Sequence, residues 1–324
     1  MSSLAAARYG KDNVRVYKVH RDERTGVQTV VEMTVCVLLE GDIETSKNRS
    51  IAETWELPYR GDMRKKKVLT REFVYSYTKA DNSVVVATDS IKNTIYITAK
   101  QQPVTPPRAV WFHPRHIHAA HVNIVTHRWV RMNVDGKPHP HSFVKESGET
   151  RNTQVDVHEG KGIDIKSSIK DLTVLKSTGS QFHGFLRDEF TTLKETWDRI
   201  LSTDVAADWQ WRRFSGLSEV KANAHKFDNA WTVARNTTLK TFAEDNSASV
   251  QATMYKMGEI ILAAEPLLET VDYSLPNNHY FEIDLSWHKG LKNTGKDAEV
   301  YAPQSNPNGL IKCTVGRANN KARL

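Results

Sequence analysis

Long runs of alternating apolar and polar residues constrain this chain more than any other feature. Val14–His20 (VRVYKVH), Val27–Glu40 (VQTVVEMTVCVLLE) and His116–Met132 (HIHAAHVNIVTHRWVRM) carry the two-residue period of a strand with one buried face. A chain that repeats this period builds antiparallel sheets, one face packed on a core and the other wet. Arg21–Gly26 (RDERTG) is a turn cluster, so the first two runs form a hairpin. Shorter strands are expected at Ser83–Ala87, Gln154–Val157, Gly162–Lys166, Leu172–Lys176, Val271–Leu275, His279–Trp287 and Gly309–Val315, and a turn at Gly136–Ser142 (GKPHPHS).

Helical signals are fewer. Thr88-Asp89-Ser90 offers N-cap chemistry to a short helix near Ile91–Ile95. Leu186, Phe190, Leu193, Trp197 and Ile200 recur at helical spacing and predict an amphipathic helix over Asp188–Ser202. A longer helical region covers Trp231–Ala264, broken near Glu244–Ser247, where Asn246 or Ser247 would cap a second helix. The fold class is therefore α+β with antiparallel pairing. At roughly 150 residues per domain, 324 residues make about two domains. A coarse two-fold echo of strand set plus helices divides them as 1–150 and 151–324.

Composition removes several classes of function. Two cysteines, Cys36 and Cys313, exclude a disulfide framework and fit a reducing compartment. No apolar run reaches the ~18 residues of a membrane helix, and no apolar h-region follows Met1, so neither a span nor a secretory signal is expected. The net charge of +7 suits a nucleic-acid binder, but Lys47–Ser76 alone holds eight basic and four acidic residues, a net +4. A local charge run reads as a solvated loop, so no nucleic-acid partner is expected. Neither GxGxxG nor GxxxxGK[ST] occurs, and Gly290–Asp297 (GLKNTGKD) ends in Asp where a hydroxyl is needed. There is no GxSxG elbow and no CxxC. His116 and His118 share a strand face and would serve as a zinc pair only with a third ligand, which no nearby spacing supplies.

Leu172–Arg199 (LTVLKSTGSQFHGFLRDEFTTLKETWDR) is the most informative stretch. Phe182 as an aromatic plate and Arg199 as a two-pronged donor would hold a flat, anionic, amide-like heterocycle. Residue chemistry alone favours a plainer alternative, in which Phe182 is core and Arg199 pairs with Glu195 at i,i+4 on a solvated helix face.

That stretch resembles the signature of the urate oxidase (uricase) family, fungal type. The resemblance extends to Ala7–Lys11 with Asp12-Asn13-Val14, Val84–Ser90 (VVVATDS), His116–Phe143, Ser247–Tyr255 (SASVQATMY) and Asn277–Lys289 (NNHYFEIDLSWHK). It implies a tunnelling fold: two tandem units, each an antiparallel sheet with helices on one side, assembling into a homotetramer with active sites between subunits. It implies oxidation of urate by O2 to 5-hydroxyisourate and hydrogen peroxide, with no metal or organic cofactor.

Carried across by motif, Phe182 stacks under the purine. Arg199 and Gln251 grip its edge, and the backbone amides of Val250 and Asp89 complete the hydrogen bonding. Asn277, with Thr88, faces the O2 or water site. Lys11, Thr88 and His279 form a proton relay. Triplet O2 demands an electron-rich urate, which removal of a second proton provides. A lysine base needs its ordinary pKa of about 10.4 lowered, a hydroxyl both donates and accepts, and a histidine recharges near neutral pH. One by one these residues have plainer uses, as a terminal lysine, an N-cap, a polar helix position and a packed strand histidine; jointly, in matching motifs, they read as a site.

Ala322-Arg323-Leu324 fits the small–basic–Leu pattern of a peroxisomal tripeptide read by an import receptor, which agrees with a peroxide-forming enzyme. The chain departs from the family at Lys47–Ser76, an apparent insertion, and at Arg108–Arg115 (RAVWFHPR), which replaces a longer helix-forming stretch. Both have the look of exon-boundary errors. Smaller departures are Thr126, where Cys is frequent, and His183, where Trp is common. Two alternatives stand beside the oxidase: a zinc-dependent pterin-type enzyme on the same fold, and an inactive mis-spliced product that does not assemble.

Overall fold

The computed structural model of the chain describes residues 8–41, 88–101, 117–245 and 249–317. The expected strand Ser83–Ala87, the segments Lys47–Ser76 and Arg108–Arg115, His116, the capping candidates Asn246 and Ser247, and the tripeptide Ala322–Leu324 lie outside the described residues. The chain divides into two units. One holds the described residues up to 147 with 151–165 and 213–219; the other holds 148–150, 166–212 and those from 220 onward.

In the first unit, β1 (Arg8–Arg21), β2 (Gln28–Gly41), β3 (Ile117–Val134) and β4 (Lys137–His158) are neighbours in chain order. β1 and β2 pair antiparallel from Arg8↔Glu40 to Arg21↔Gln28, and the register shifts between Lys11 and Val14. Their turn is pinned by Asp22, whose Oδ1 accepts from the amides of Arg24 and Thr25 at 3.0 and 2.8 Å, and by Gly26 at φ +68°. One face supplies the core through Val14, Val16, Met33, Val35 and Leu39, against Ile91 and Ile95 of helix α1 (Thr88–Gln101). Lys18 Nζ ties the two by donating to Ala99 O at 2.8 Å.

Glu32 sits on the other face yet is only 1% exposed. It accepts from Trp129 Nε1 at 2.9 Å, Lys145 Nζ at 3.1 Å and Arg15 Nη2 at 3.1 Å. Burial pushes its carboxyl up, but hydrogen bonds from Tyr17, Trp129, Lys145 and Arg15 outweigh that and hold it at about 2.

In the second unit β5 (Gly162–Lys176), β6 (Leu201–Trp211), β7 (Leu268–Glu282) and β8 (Tyr301–Gly316) again follow chain order, with β5 beginning in the first unit. Helices α3 (Ala224–Glu244) and α4 (Val250–Ala264) cover one face, and the short α2 (Leu217–Ala222) precedes them. α3 buries Ala230, Ala234 and Thr238, whose hydroxyl lies 2.7 Å from Tyr273 Oη. α4 buries Met254, Met257 and Ile261. It approaches β8 closely at Gly258, where a Cβ would fall 2.6 Å from Val315 Cγ2.

Several expectations are corrected. Asp188–Ser202 is not a helix: 177–200 is a loop and Leu201 opens β6. Among the described residues the apolar stripe stays in water, Leu186 being 95% and Phe190 80% exposed, while Glu195 and Asp198 accept from the amides of Gly184 and Gly179 and so tie the segment to the loop before it instead of to a helix ladder. The turn after β3 is Asp135-Gly136, both at positive φ as a two-residue hairpin demands, and residues 137–142 belong to β4. β4, β5 and β8 run longer than expected, and β7 is continuous through Pro276, opposite Leu310, ending at Glu282 rather than Trp287. α1 starts at Thr88 itself and extends well past Ile95. The long helical region does break where expected, but α3 starts before Trp231 and Ser249 holds the N-cap position of α4.

Candidate functional site

The loop between β5 and β6 carries two of the expected residues and brings them together. Phe182 and Thr196 form a two-way bridge, Phe182 N–H to Thr196 O at 2.8 Å and Thr196 N–H to Phe182 O at 3.0 Å. Asp198 clamps the base of the loop, accepting from Thr178 Oγ1 at 2.8 and 2.9 Å and from the Gly179 amide at 3.0 Å. Glu195, expected to pair with Arg199, instead accepts from the Gly184 amide at 2.9 Å.

Arg199 follows directly. Its Cζ stands 5.1 Å from the Phe182 ring centroid, an offset position, since direct stacking would bring it to about 3.5–4 Å. Among the described residues its hydrogen-bond partner is Ser180 Oγ, reached from Nε at 3.3 Å. Burial pulls the guanidinium down from its ordinary value, the cost of removing a cation from water before an anion meets it. The plate and the fork are thus adjacent.

Val250 and Gln251 open α4. The amide of a first-turn residue has no intrahelical acceptor, so Val250 N–H is available to a ligand and the helix end favours an anion. Ser249, at the N-cap, makes no side-chain cap bond; its hydroxyl donates to Gln251 Oε1 at 2.9 Å. That bond fixes the Gln251 carboxamide and leaves its NH2 as donor. Val250 and Asn277 line one apolar pocket with Phe242, Met254, Leu275 and Ile311. Thr203 lines it as well, its hydroxyl buried with no hydrogen-bond partner among the described residues. Asn277 is held on β7 between Thr203 of β6 and Gly309 of β8. Two residues on, past a register shift, His279 faces Gln304, its ring 6.0 Å from Phe281.

Lys11, Thr88 and Asp89 belong to the first unit, the other expected residues to the second. Lys11 stands at the β1 register shift. Gly10 before it has no room for a side chain, since a Cβ would lie 1.7 Å from Val37 O. Asp89 lies in the first turn of α1, so its amide, like that of Val250, is free of the helix ladder. Its carboxyl is held below the ordinary range by Lys92 at 2.5 Å, with further help from Asn93 and the charge of Lys11. His118 of the histidine pair is bonded to Glu159 at 3.1 Å.

Sequence reasoning missed the supporting residues Ser180, Asp198, Thr203 and Ser249. The alternation across Leu201–Trp211, where every second residue from Leu201 is buried, is a signal that places Thr203 inward. The hydroxyl-rich Lys176–Ser180 before Phe182 is a signal for Ser180. Nothing in local pattern marks Asp198.

A family model described as Uricase matches residues 7–156 and 165–312. A uricase of Aspergillus flavus is 69% identical over an alignment of 332 positions that covers 100% of each chain. One of Emericella nidulans is 68% identical with the same coverage. Among solved structures, the uricase of Arthrobacter globiformis superposes with a TM-score of 0.74 at 30% identity, covering 99% of this chain and 97% of that one. A uricase from Bacillus fastidious, at 21% identity and a TM-score of 0.65, shares the fold.

Proposed function

The chain belongs to the uricase family, and on that premise we propose how its residues oxidise urate. The fold is the tunnelling fold of that family, and the activity is that of a urate oxidase, an oxidoreductase with O2 as acceptor. Nothing in the comparisons points to the zinc-dependent alternative.

The observation that carries the site reading is the Phe182–Arg199 pair, plate and fork 5.1 Å apart. Urate lies on the Phe182 ring. The Arg199 fork takes two adjacent acceptors on its edge, and the fixed Gln251 carboxamide meets the opposite part. The amides of Val250 and Asp89, each in the first turn of a helix, complete the hydrogen bonds to an anion. Lys11, Thr88 and His279 move protons off the bound purine, and Asn277 and Thr88 hold O2 or water above the ring. The balance is urate, O2 and water giving 5-hydroxyisourate and hydrogen peroxide. The dianion passes an electron to O2, and the protein supplies orientation and proton transfer with no metal or organic cofactor.

The protein acts as a homotetramer with sites between subunits, Lys11, Thr88 and Asp89 coming from one copy and the Phe182 group from another. Support for this comes from the exposed Leu186, Phe190 and Trp197 of the site loop and Trp287, apolar groups that a lone protomer leaves in water. Ala322-Arg323-Leu324 directs import into peroxisomes; a reporter carrying this tripeptide should enter them and one lacking it should not.

The test is loss of urate absorbance together with peroxide formation, using metal-stripped protein under air. Full turnover after stripping supports the cofactor-free oxidase. Turnover restored only by added metal overturns it. An inactive protein that elutes as a monomer identifies a product unable to assemble.

A further inference from the structure

The ring that carries the purine sits in a loop with almost no core. Phe182 is itself 36% exposed, and its neighbours Leu186, Phe190 and Leu193 are 95%, 80% and 55% exposed. The bridge to Thr196 fixes the Phe182 backbone but leaves both side-chain torsions to be set by contacts. One such contact is Phe185, stacked on Phe182 with centroids 4.8 Å apart and planes within 14°. A purine therefore takes the face that Phe185 does not cover.

Phe185 is held in turn. The Arg187 guanidinium stands at an offset from its ring, Cζ 5.3 Å from the centroid, within cation–π range. That guanidinium is tethered to the far limb of the loop, Nη1 donating to Leu193 O at 2.8 Å and Nη2 to Thr191 O at 3.4 Å. Thr191 is locked by its hydroxyl bond to Asp188 Oδ1 at 2.6 Å. Phe182, Phe185 and Arg187 thus form a chain of contacts, stacked between the two rings and offset between Phe185 and the guanidinium, that ends on a two-point backbone anchor.

We propose that Arg187 is a positioning residue for purine binding, acting through Phe185 to fix the plane of the Phe182 ring. The inference rests on the reading of Phe182 as the urate plate. A plate that samples several rotamers binds with an affinity reduced by the fraction of time it spends in the competent one. Loss of one aromatic or cation–π contact is enough to shift that fraction about 3- to 10-fold.

The experiment compares Arg187→Met, Arg187→Lys, Phe185→Leu and Phe182→Leu with the parent. It measures steady-state KM and kcat, and urate binding under nitrogen, where no turnover occurs. Arg187→Met and Phe185→Leu should raise both KM and the anaerobic Kd for urate about 3- to 10-fold, with kcat within about two-fold of the parent. Arg187→Lys, which keeps the charge but lacks the fork, should fall between. If Arg187→Met and Phe185→Leu leave KM and Kd within two-fold, the inference is overturned. It is equally overturned if they lower only the amount of active protein, with KM unchanged, because Arg187 is then a folding residue. Phe182→Leu separates the two levels: if that variant binds urate as the parent does, the plate reading itself fails.

Discussion

At the scale of residues, Arg199 and Glu32 make opposite uses of burial. Arg199 is desolvated beside Phe182 with its charge waiting for an anion. Arg199→Lys keeps the charge but cannot make two parallel bonds, so KM for urate should rise about 10-fold or more, read from initial rates across urate concentrations. Glu32 is desolvated with its partners already in place. Its folded-state value of about 2 lies below the roughly 4.3 of an unfolded glutamate, so its contribution is present above that value and lost as pH falls towards 2. Glu32→Gln should cost about 2 kcal/mol at pH 7 and narrow its gap to the parent between pH 5 and 2, measured by urea unfolding at several pH values. Of these two residues only Arg199 was singled out in the sequence, through the motif around it, and the structure sets it beside Phe182 as that reading expected. Glu32 sits in an alternating strand at a position that reads as wet. It is buried because Trp129 and Lys145 reach it across more than ninety residues of chain, which no local pattern encodes.

At the scale of elements, strands declared themselves by their period and loops hid behind it. β1 and β2 follow the alternation where they meet the core, and β3 keeps it in two stretches, Ile117 with Ala119 and Val122 with Ile124, that are out of phase with each other. The site loop was misread because Leu186, Phe190, Leu193 and Trp197 mimic a helical stripe, whereas side-chain carboxylates and hydroxyls there compete for the backbone amides. α4 was legible as a helix, yet its closeness to β8 was not, because a single Gly within a good helix reads as a mild defect. Gly258→Ala should improve helix propensity by up to about 1 kcal/mol and still lower the melting temperature. The added methyl meets Val315 at 2.6 Å, and such overpacking costs about 1–3 kcal/mol. Thermal unfolding followed by circular dichroism decides between the two signs.

At the scale of the whole molecule, the expected site residues divide between the two units, Lys11, Thr88 and Asp89 in one and Phe182, Arg199, Val250, Gln251, Asn277 and His279 in the other. The sequence shows a coarse two-fold echo and the described residues divide into two units; the roles proposed for each half rest on the family motifs. If copies of the chain complete one another's sites, the exposed apolar groups of the site loop lie at that junction. Phe190→Ser with Trp197→Ser should yield a smaller species by size-exclusion chromatography with urate oxidation reduced at least 10-fold, while far-ultraviolet circular dichroism stays that of the parent. A tetramer with full activity in that double variant would place the junction elsewhere. Strand order adds a consequence in time. In each unit every strand lies beside its predecessor in the chain; tight turns such as Asp135-Gly136 join some neighbours, while β2 meets β3, and β6 meets β7, across long connections. Hairpins and the longer-range pairings alike close within one chain, at rates set by that chain, whereas encounter between copies depends on how many copies are present. On dilution from denaturant, ellipticity should therefore return at a rate independent of protein concentration, and urate oxidation should lag behind it by an interval that shortens as the protein is made more concentrated.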